Sequence, residues 1–259
     1  MKRFFCCFFV IAAMCAVLPL SAQQAAAIVR ESRDRIKANT TQNRSKWVIT
    51  AKNGSTTERL IDQFSKDDAA GLSRVVLEFR SPAGVAGTRF LSMDTGRGGS
   101  NQWIYLPSLG KTRRIAGSEG SGSFMNTDFS YDDIASAERD PDLDTHTILR
   151  EENFIGKACY VIESKPKDSS YQYSKMVQWI DKANKVTHKI ELYDKKGVHI
   201  KTLEILELKD IQGWLSAVKT RMTTVGGGNT TINVEILKYD DPIPESVFST
   251  TYLETGRAR

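Results

Sequence analysis

The chain has 259 residues and a formal net charge of +5 at neutral pH. That charge is too small for a nucleic-acid-binding protein, whose affinity rests on the neutralisation of many phosphates. The length is normal for one all-β domain, and no Pro-rich or Gly-rich linker and no internal repeat divides the sequence, so we expect a single domain.

The first 22 residues have the pattern of a cleaved export signal. Lys2 and Arg3 form the positive start, an apolar run follows over 4–18, and Leu20-Ser21-Ala22 resembles a cleavage site. The alternative is a membrane anchor, but the run is shorter than the roughly 20 apolar residues of a bilayer span. We therefore predict a signal peptide at 1–22 and a mature domain at 23–259, whose formal charge is 5 − 2 = +3.

Cysteine usage agrees with an exported protein that has no internal disulfide. Cys6, Cys7 and Cys15 lie in the predicted signal, which leaves only Cys159 in the mature domain. Stability must then come from packing, although an exported compartment permits disulfides. Acylation of one of the three signal cysteines would instead make the protein a lipoprotein.

The mature sequence begins with a helical pattern and continues as strands. Residues 25–38 carry Ile28, Val29 and Ile36 at near-helical spacing, which predicts an amphipathic helix. From Ser45 onward, segments of period two alternate with turn signals. The predicted strands are 46–52, 56–65, 73–80, 87–93, 102–106, 111–115, 145–151, 158–164, 171–181, 186–193, 199–209, 213–224 and 229–239.

Clean alternation in several strands indicates a sheet with one buried face. Leu60-Ile61-Asp62-Gln63-Phe64 and His188-Lys189-Ile190-Glu191-Leu192 are examples. Helical residues are few, at 25–38, in pieces within 124–144 and at 244–252. The pattern predicts a mainly β fold in which a few helices cover the mouth of a hollow antiparallel half-barrel. Patterning alone does not distinguish this from a closed, lipocalin-like barrel.

One region carries a set of specific motifs. An aromatic strand Trp103-Ile104-Tyr105-Leu106-Pro107 is followed by Arg113-Arg114-Ile115, then by Ser123-Phe124-Met125, and then by Asp128-Phe129-Ser130-Tyr131-Asp132-Asp133-Ile134. These motifs resemble those of the LolA-like outer-membrane lipoprotein-sorting family, and the resemblance continues almost to the C-terminus.

The resemblance implies both an architecture and a role. The family fold is an unclosed β-barrel whose helices form a lid over the concave apolar face. The family role is that of a periplasmic carrier in a diderm bacterium, which shields acyl chains of lipoproteins or lipids between the inner and outer membranes. The implied partners are those acyl chains, an inner-membrane exporter and an outer-membrane acceptor. We expect a monomer without a cofactor.

Aromatic and aliphatic residues supply the candidate ligand-binding set. Most large apolar side chains belong to the core, and we expect some of them to line a cavity for acyl chains, with Met125 adaptable to variable tails. The candidates for the cavity and the lid are Trp47, Ile49, Phe64, Phe79, Leu91, Met93, Trp103, Tyr105, Phe124, Met125 and Phe129.

Arg113 and Arg114 allow two interpretations. Adjacent strand residues face opposite ways, so one guanidinium is solvated and the other pairs with a carboxylate; alternatively, one lies at the cavity rim and binds a lipid headgroup. Asp128 is expected to brace the loop through one of these arginines, and Asp132 and Asp133 to begin a short helix.

Nothing in the sequence forms a recognisable catalytic or metal-binding set. His146, His188 and His199 lie on separate predicted strands without metal-ligand spacing, and no nucleophile elbow or phosphate loop is present. Cys159 sits in an alternating strand and is interpreted as a buried structural thiol. We therefore predict no catalytic residue, no metal ligand and no enzyme activity.

Two alternative functions stay open at this point. An envelope-stress sensor that binds a membrane-protein partner is the main one, since related folds serve as periplasmic regulators. A hydrolase of envelope lipids is the other, and it lacks a triad or metal set in the sequence. Within the carrier class, a glycolipid or another membrane lipid fits as well as a lipoprotein.

Overall fold

The computed structural model describes residues 20–136 and 139–258. The predicted signal peptide, 1–22, lies outside these residues except for its last three, which begin the first helix, α1, Leu20–Arg33. No helix within the described ranges is long and apolar enough to cross a membrane.

Thirteen strands form the body of the molecule. They are Thr40–Thr50 (β1), Thr56–Asp67 (β2), Ser73–Ser81 (β3), Arg89–Asp94 (β4), Ser100–Leu106 (β5), Lys111–Arg114 (β6), Asp144–Phe154 (β7), Lys157–Pro166 (β8), Lys175–Asp181 (β9), Thr187–Tyr193 (β10), His199–Ile211 (β11), Trp214–Thr224 (β12) and Asn229–Tyr239 (β13).

All strands belong to one antiparallel sheet that is not closed. The order is β6-β5-β4-β3-β2-β1-β13-β12-β11-β10-β9-β8-β7, so the last strand pairs with the first and the two ends of the sheet are β6 and β7. The predicted mainly β, unclosed architecture is confirmed, and the closed-barrel alternative is excluded.

The strand bounds differ from the sequence prediction mainly at two starts. β1 begins at Thr40, where the polar residues Thr40–Arg44 pair with Asp62–Lys66 of β2. β9 begins at Lys175 because Tyr171 and Tyr173 pack against the loop over the sheet. Hydrophobic periodicity did not predict these two starts, because the first depends on pairing of polar residues and the second on tertiary packing.

Helix α1 covers one end of one face of the sheet, which we call the inner face. Its buried side chains Ala25, Ile28 and Val29 pack against Ile162 of β8 and Ile180 of β9. The helix spans Leu20–Arg33 rather than the predicted 25–38. The segment after it is tied to the sheet end, as in the hydrogen bond from the Asn39 backbone to Asp240 at 2.7 Å.

A long connection between β6 and β7 covers the other half of the inner face. It contains short 3₁₀ turns and the helix α2, Tyr131–Ala135. The Ser130 hydroxyl accepts from the Asp133 backbone at 2.9 Å, and the Asp133 carboxylate accepts from the Ser130 backbone at 2.8 Å, which is a capping box. The prediction that Asp132 and Asp133 begin a helix is confirmed.

The C-terminal segment lies on the opposite, outer face. Helix α3, Thr250–Thr255, and the 3₁₀ turn Glu245–Val247 bring Phe248, Tyr252 and Leu253 onto Val76 and Leu91 of the sheet. The helical residues predicted at 244–252 therefore exist but do not belong to the lid over the inner face.

Acid is expected to loosen this C-terminal segment. Hydrogen bonds from Arg74 (2.7 Å) and Lys66 hold the pKa of Glu245 down at about 2. Because a lowered carboxyl pKa stabilises the fold above its ordinary value, that contribution is lost as the pH falls from about 4.5 toward 2. We expect proteolytic release of the segment after Tyr239 to rise across this range, measured with an acid protease.

The Glu245→Gln variant is the control for that experiment. It should lose the contact at all pH values, so its cleavage rate should start higher and depend less on pH. Equal pH dependence in both proteins would contradict the assignment to Glu245.

Candidate functional site

A cavity of ≈ 900 Å³ lies between α1, the segment that follows it and the second half of the sheet. This volume lies near the upper end of the range for small-molecule sites. The apolar part of its wall comes from strands β9 to β12 and from α1. The side chains are Met176, Ile190, Leu203, Ile205, Ala217 and Val29.

These strand residues share the inner face for a simple geometric reason. Opposed residues of neighbouring antiparallel strands point to the same side. Ile190 opposes Leu203, Ile205 opposes Thr220, and Leu192 opposes Met176, so their side chains form continuous rows across the sheet. An apolar surface wide enough for a flexible chain results.

A buried polar network borders the apolar wall. Gln178 donates to the Ser164 hydroxyl at 2.8 Å, and Ser164 lies 2.8 Å from His146 Nδ1. His146 Nε2 lies 2.9 Å from the Pro141 carbonyl, which requires a proton on Nε2. The three side chains therefore form one continuous hydrogen-bond network from Gln178 to the Pro141 carbonyl.

Arg139 and Asp144 form a charged pair at the edge of the cavity. Both side chains are more than nine-tenths buried, and their closest atoms are 2.8 Å apart. The guanidinium also stacks over the Tyr171 ring, 4.0 Å from its centroid. A buried arginine with a matching carboxylate and an aromatic face is firmly held, so this corner of the cavity is rigid.

Part of the cavity wall is a seam in the sheet. The ladder between β12 and β13 covers Lys219–Thr223 against Asn229–Asn233. Beyond it, side chains make the connection. Gln212, in the β11–β12 turn, donates to and accepts from the Tyr239 backbone of β13 at 3.0 and 2.8 Å, and the Tyr239 hydroxyl donates to Ser216 of β12 at 2.9 Å. Arg35 donates a hydrogen bond to the Leu215 carbonyl on β12. Side chains thus seal the wall where the ladder ends.

The β6–β7 connection fills the first half of the inner face with aromatic side chains centred on Phe124, and we call this part of the connection the plug. Phe124 is fully buried, and its ring centroid lies 5.2 Å from Phe90, 5.3 Å from Tyr131, 5.9 Å from Phe79 and 6.3 Å from Trp47. Aromatic pairs at such distances add to the stability that area burial provides. This region is therefore core rather than open space.

Arg59 holds the tip of the plug. It bonds the Met125 carbonyl and lies over the Phe79 ring, 5.7 Å from the centroid. Burial lowers its pKa, and its Nε atom has no hydrogen-bond partner among the residues described. Met125 and Asn126 have left-handed backbone angles, with φ of 50° and 61°. The contact restrains a strained turn.

The structure divides the predicted binding residues between the two faces. Trp47, Phe79, Phe124, Phe129 and Met125 meet in the inner-face core. Ile49 is half-buried on the same face, since it lies two residues after Trp47 on β1. The remaining five pack on the outer face under the C-terminal segment, and these are Phe64, Leu91, Met93, Trp103 and Tyr105.

None of the eleven predicted residues lines the 900 Å³ cavity. They lie elsewhere because the plug fills the first half of the inner face and the C-terminal segment covers the outer face. Their role in ligand binding stays a prediction. The cavity residues of β9 to β12 were missed. Their alternation was visible in the sequence, but nothing local distinguishes a cavity wall from ordinary core.

The arginine doublet has local partners. Arg113 pairs with Glu119 at 2.9 Å, while Arg114 bonds Asn101 and lies over Trp103, 6.0 Å from the ring centroid. Asp128 does brace the loop, but through the hydroxyls of Thr224 and Thr230 at 2.6 and 2.7 Å rather than through an arginine. Threonines of β12 and β13 therefore fix the plug.

The residues weighed for catalysis lie apart. His146 is in the network at the cavity, His188 lies 3.4 Å from buried Asp181, and His199 contacts Thr202. Burial raises the pKa of Cys159, which keeps it a thiol at neutral pH. Within the described ranges, no three His, Cys, Asp or Glu side chains are placed to hold a metal ion.

Known proteins share this fold over almost its full length. A DUF1329 family protein from Desulfovibrio piger superposes with a TM-score of 0.85 at 28% identity, covering 90% of this chain and 99% of its own. A putative outer membrane lipoprotein-sorting protein domain from Vibrio parahaemolyticus gives 0.84 at 28% identity with the same coverage. A LolA superfamily protein from Nitrosomonas europaea gives 0.71 at 20% identity, covering 90% of this chain and all of its own, which shows the fold alone.

No curated protein matches the chain. A family model with the description "Uncharacterized protein" matches residues 71–255, which is more than half of the chain. Together with the two structures at 28% identity, this match confirms the resemblance predicted from the aromatic, arginine and S-F-M motifs. The chain therefore belongs to the family of that model, and it is similar to a putative outer membrane lipoprotein-sorting domain and, in fold, to a LolA superfamily protein.

Proposed function

We propose that the protein is a periplasmic carrier that shields the acyl chains of a lipoprotein or lipid on its way from the inner to the outer membrane. The observation that carries the proposal is the 900 Å³ cavity with an apolar wall from β9 to β12, roofed by α1. The fold supports a carrier role, because a lipoprotein-sorting domain shares it over 90% of the chain.

The energetics of the cavity suit reversible binding of acyl chains. Each methylene moved from water into the apolar wall contributes roughly 0.8 kcal/mol, so one or two chains supply a large gross affinity. The polar network and the Arg139–Asp144 pair limit how much of the wall is apolar. A site of mixed polarity holds a chain while still allowing its release to an acceptor.

The mouth of the cavity is basic. Arg33, Arg35, Lys37 and Lys66 line it together with Asp34 and Asp67, and Glu245 pairs with Lys66, which gives a formal balance of 4 − 3 = +1. Such a balance favours approach to a membrane surface with anionic lipids. The donor of the cargo would be an inner-membrane exporter and the acceptor an outer-membrane protein.

Native mass spectrometry of the mature protein from its own periplasm tests the proposal, followed by lipid extraction of the same sample. We expect a discrete bound mass that extracts as lipid or acylated peptide. A clean apo mass, with no uptake from phospholipid or lipoprotein vesicles, would contradict the proposal and favour the alternative regulatory role.

A variant that fills the cavity tests whether the bound ligand occupies it. Ala217→Trp places an indole in the wall, and we expect at least a tenfold drop in the bound fraction at unchanged folding. Leu206→Trp, at an exposed position of the neighbouring strand β11, is the matched control and should keep its ligand. Normal loading of the Ala217→Trp protein would place the ligand elsewhere.

A further inference from the structure

A second cavity, of ≈ 340 Å³, adjoins the first and differs from it in chemistry. We call it the annex. It lies among the β4–β5 turn, α2 and the β8–β9 connection, and its polar lining includes Asp94, Arg97, Ser100, Asp132, Asp168 and Gln172. Four residues line both cavities, and these are Ser73, Ser136, Arg139 and Tyr171. A bound molecule at this junction would touch an apolar and a polar compartment.

The charges of the annex disfavour an anionic guest. Asp94, Asp132 and Asp168 supply three carboxylates against the single guanidinium of Arg97, because the charge of Arg139 is balanced by Asp144. A phosphate in this cavity would meet like charges in a partly desolvated space, which costs free energy. A neutral or cationic group would not meet this repulsion.

Hydrogen-bonding capacity narrows the choice further. Gln102, which is 4% exposed, donates to Ser100 Oγ and to Asp132 Oδ1 at 2.9 Å each, and both acceptors line the annex. Its own Oε1 has no donor within the described ranges. Gln102 itself does not line the annex, but the Asp132 carboxylate does, and a carboxylate accepts more than one hydrogen bond, so this wall still calls for a donor from the cavity side.

The other lining groups require a guest that also accepts. Arg97 and the Gly98-Gly99 backbone amides are donors, whereas the carboxylates accept. The Gln172 amide already donates to Asp133. An ammonium group donates hydrogen bonds but accepts none, so it would leave the donors of the wall without a partner. A hydroxyl both donates and accepts, so several hydroxyls on one small ring satisfy both kinds of wall.

We propose that the annex binds a neutral polyhydroxyl headgroup, such as a hexose, of a lipid whose acyl chains occupy the large cavity. The inference rests on the proposed carrier function and names its cargo class as a glycolipid. Arg139 and Tyr171 would lie at the junction between the sugar and the chains.

Two glycines offer a matched pair of variants. A side chain at Gly99 would enter the annex without a clash, since a Cβ there meets nothing within 4 Å and the backbone is not in the left-handed region. Gly84, in the turn after β3, has the same freedom and is equally exposed. Gly99→Leu therefore fills the annex, and Gly84→Leu is its control.

The experiment measures binding of three lipids with identical acyl chains by the full mature protein: a hexosyl diacylglycerol, the parent diacylglycerol and the phosphatidate. We expect the hexosyl lipid to bind at least tenfold more tightly than the other two. Gly99→Leu should abolish that preference without weakening diacylglycerol binding, and Gly84→Leu should keep it. Equal affinities, tightest binding of phosphatidate or an unchanged preference in Gly99→Leu would overturn the assignment.

A soluble probe separates this inference from the carrier proposal. Methyl glucoside at millimolar concentration should shift the amide resonances of Ser100, Asp132 and Gln172 in the wild-type protein and not in Gly99→Leu. Sugar binding without any lipid binding would refute the carrier proposal and leave the sugar site intact. Absence of both would overturn both, and lipid binding without sugar-dependent shifts would overturn the annex alone.

Discussion

Replacement of Phe124 by alanine is expected to destabilise the protein by about 3–5 kcal/mol, the usual cost of removing a buried phenylalanine. The ring is fully buried among Trp47, Phe79, Phe90 and Tyr131, so its loss leaves a void in a close-packed aromatic cluster. The surrounding strands cannot close on that void because they are held in the sheet. Denaturant unfolding followed by tryptophan fluorescence measures the change.

Leu109→Ala is the control for Phe124→Ala. Leu109 lies in the β5–β6 turn and is 63% exposed, so its truncation should change stability by less than about 0.5 kcal/mol. A loss below about 1 kcal/mol for Phe124→Ala, at the same denaturant dependence, would mean that the plug does not form part of the cooperative core.

Replacement of Glu78 by alanine is the second change with a large expected effect, also about 3–5 kcal/mol. Glu78 is 3% exposed and accepts hydrogen bonds from Arg80 at 3.0 Å, Arg89 at 3.1 Å and the Tyr252 hydroxyl at 3.1 Å. Its removal leaves buried donors without their carboxylate. It also frees α3, because the Tyr252 hydroxyl loses its acceptor. Burial and the Glu78 carboxylate together raise the pKa of Tyr252 to about 12, so the hydroxyl is a donor at neutral pH.

The matched control is Glu58→Ala. Glu58 lies on β2, and its carboxylate is 3.8 Å from Lys46 in an exposed pair, which is worth at most about 1 kcal/mol. Hydrogen exchange of the amides in α3 adds a local readout, which should accelerate in Glu78→Ala and stay unchanged in Glu58→Ala. A stable Glu78→Ala protein with a protected α3 would show that the apolar contacts alone hold the segment.

The local sequence determined the strands and the class of fold. Each of the thirteen predicted strands is present, because alternation of polar and apolar residues reports a half-buried strand whatever it pairs with. The motifs around Trp103, Arg113 and Phe124 also identified the family. Helix α2 was predictable from Ser130 and Asp133, since a capping box is a local interaction.

Only the tertiary structure decided which side of the sheet each strand residue occupies. Val75, Val76 and Leu77 are all buried, although neighbours on a strand point to opposite faces, because α2 with the plug covers one face and the C-terminal segment covers the other. With both faces covered, alternation no longer separates inside from outside. Phe64 and Trp103 were therefore predicted at a cavity that they do not reach.

The position of the cavity depended on packing over long distances. Where Phe124 enters, the inner face is filled; where no large side chain enters, over Ile205 and Ala217, it stays hollow. That difference depends on where the β6–β7 connection and α1 lie relative to strands far away in the chain. The sequence by itself determined the sheet and its family, and tertiary packing alone decided which half of the sheet holds a site.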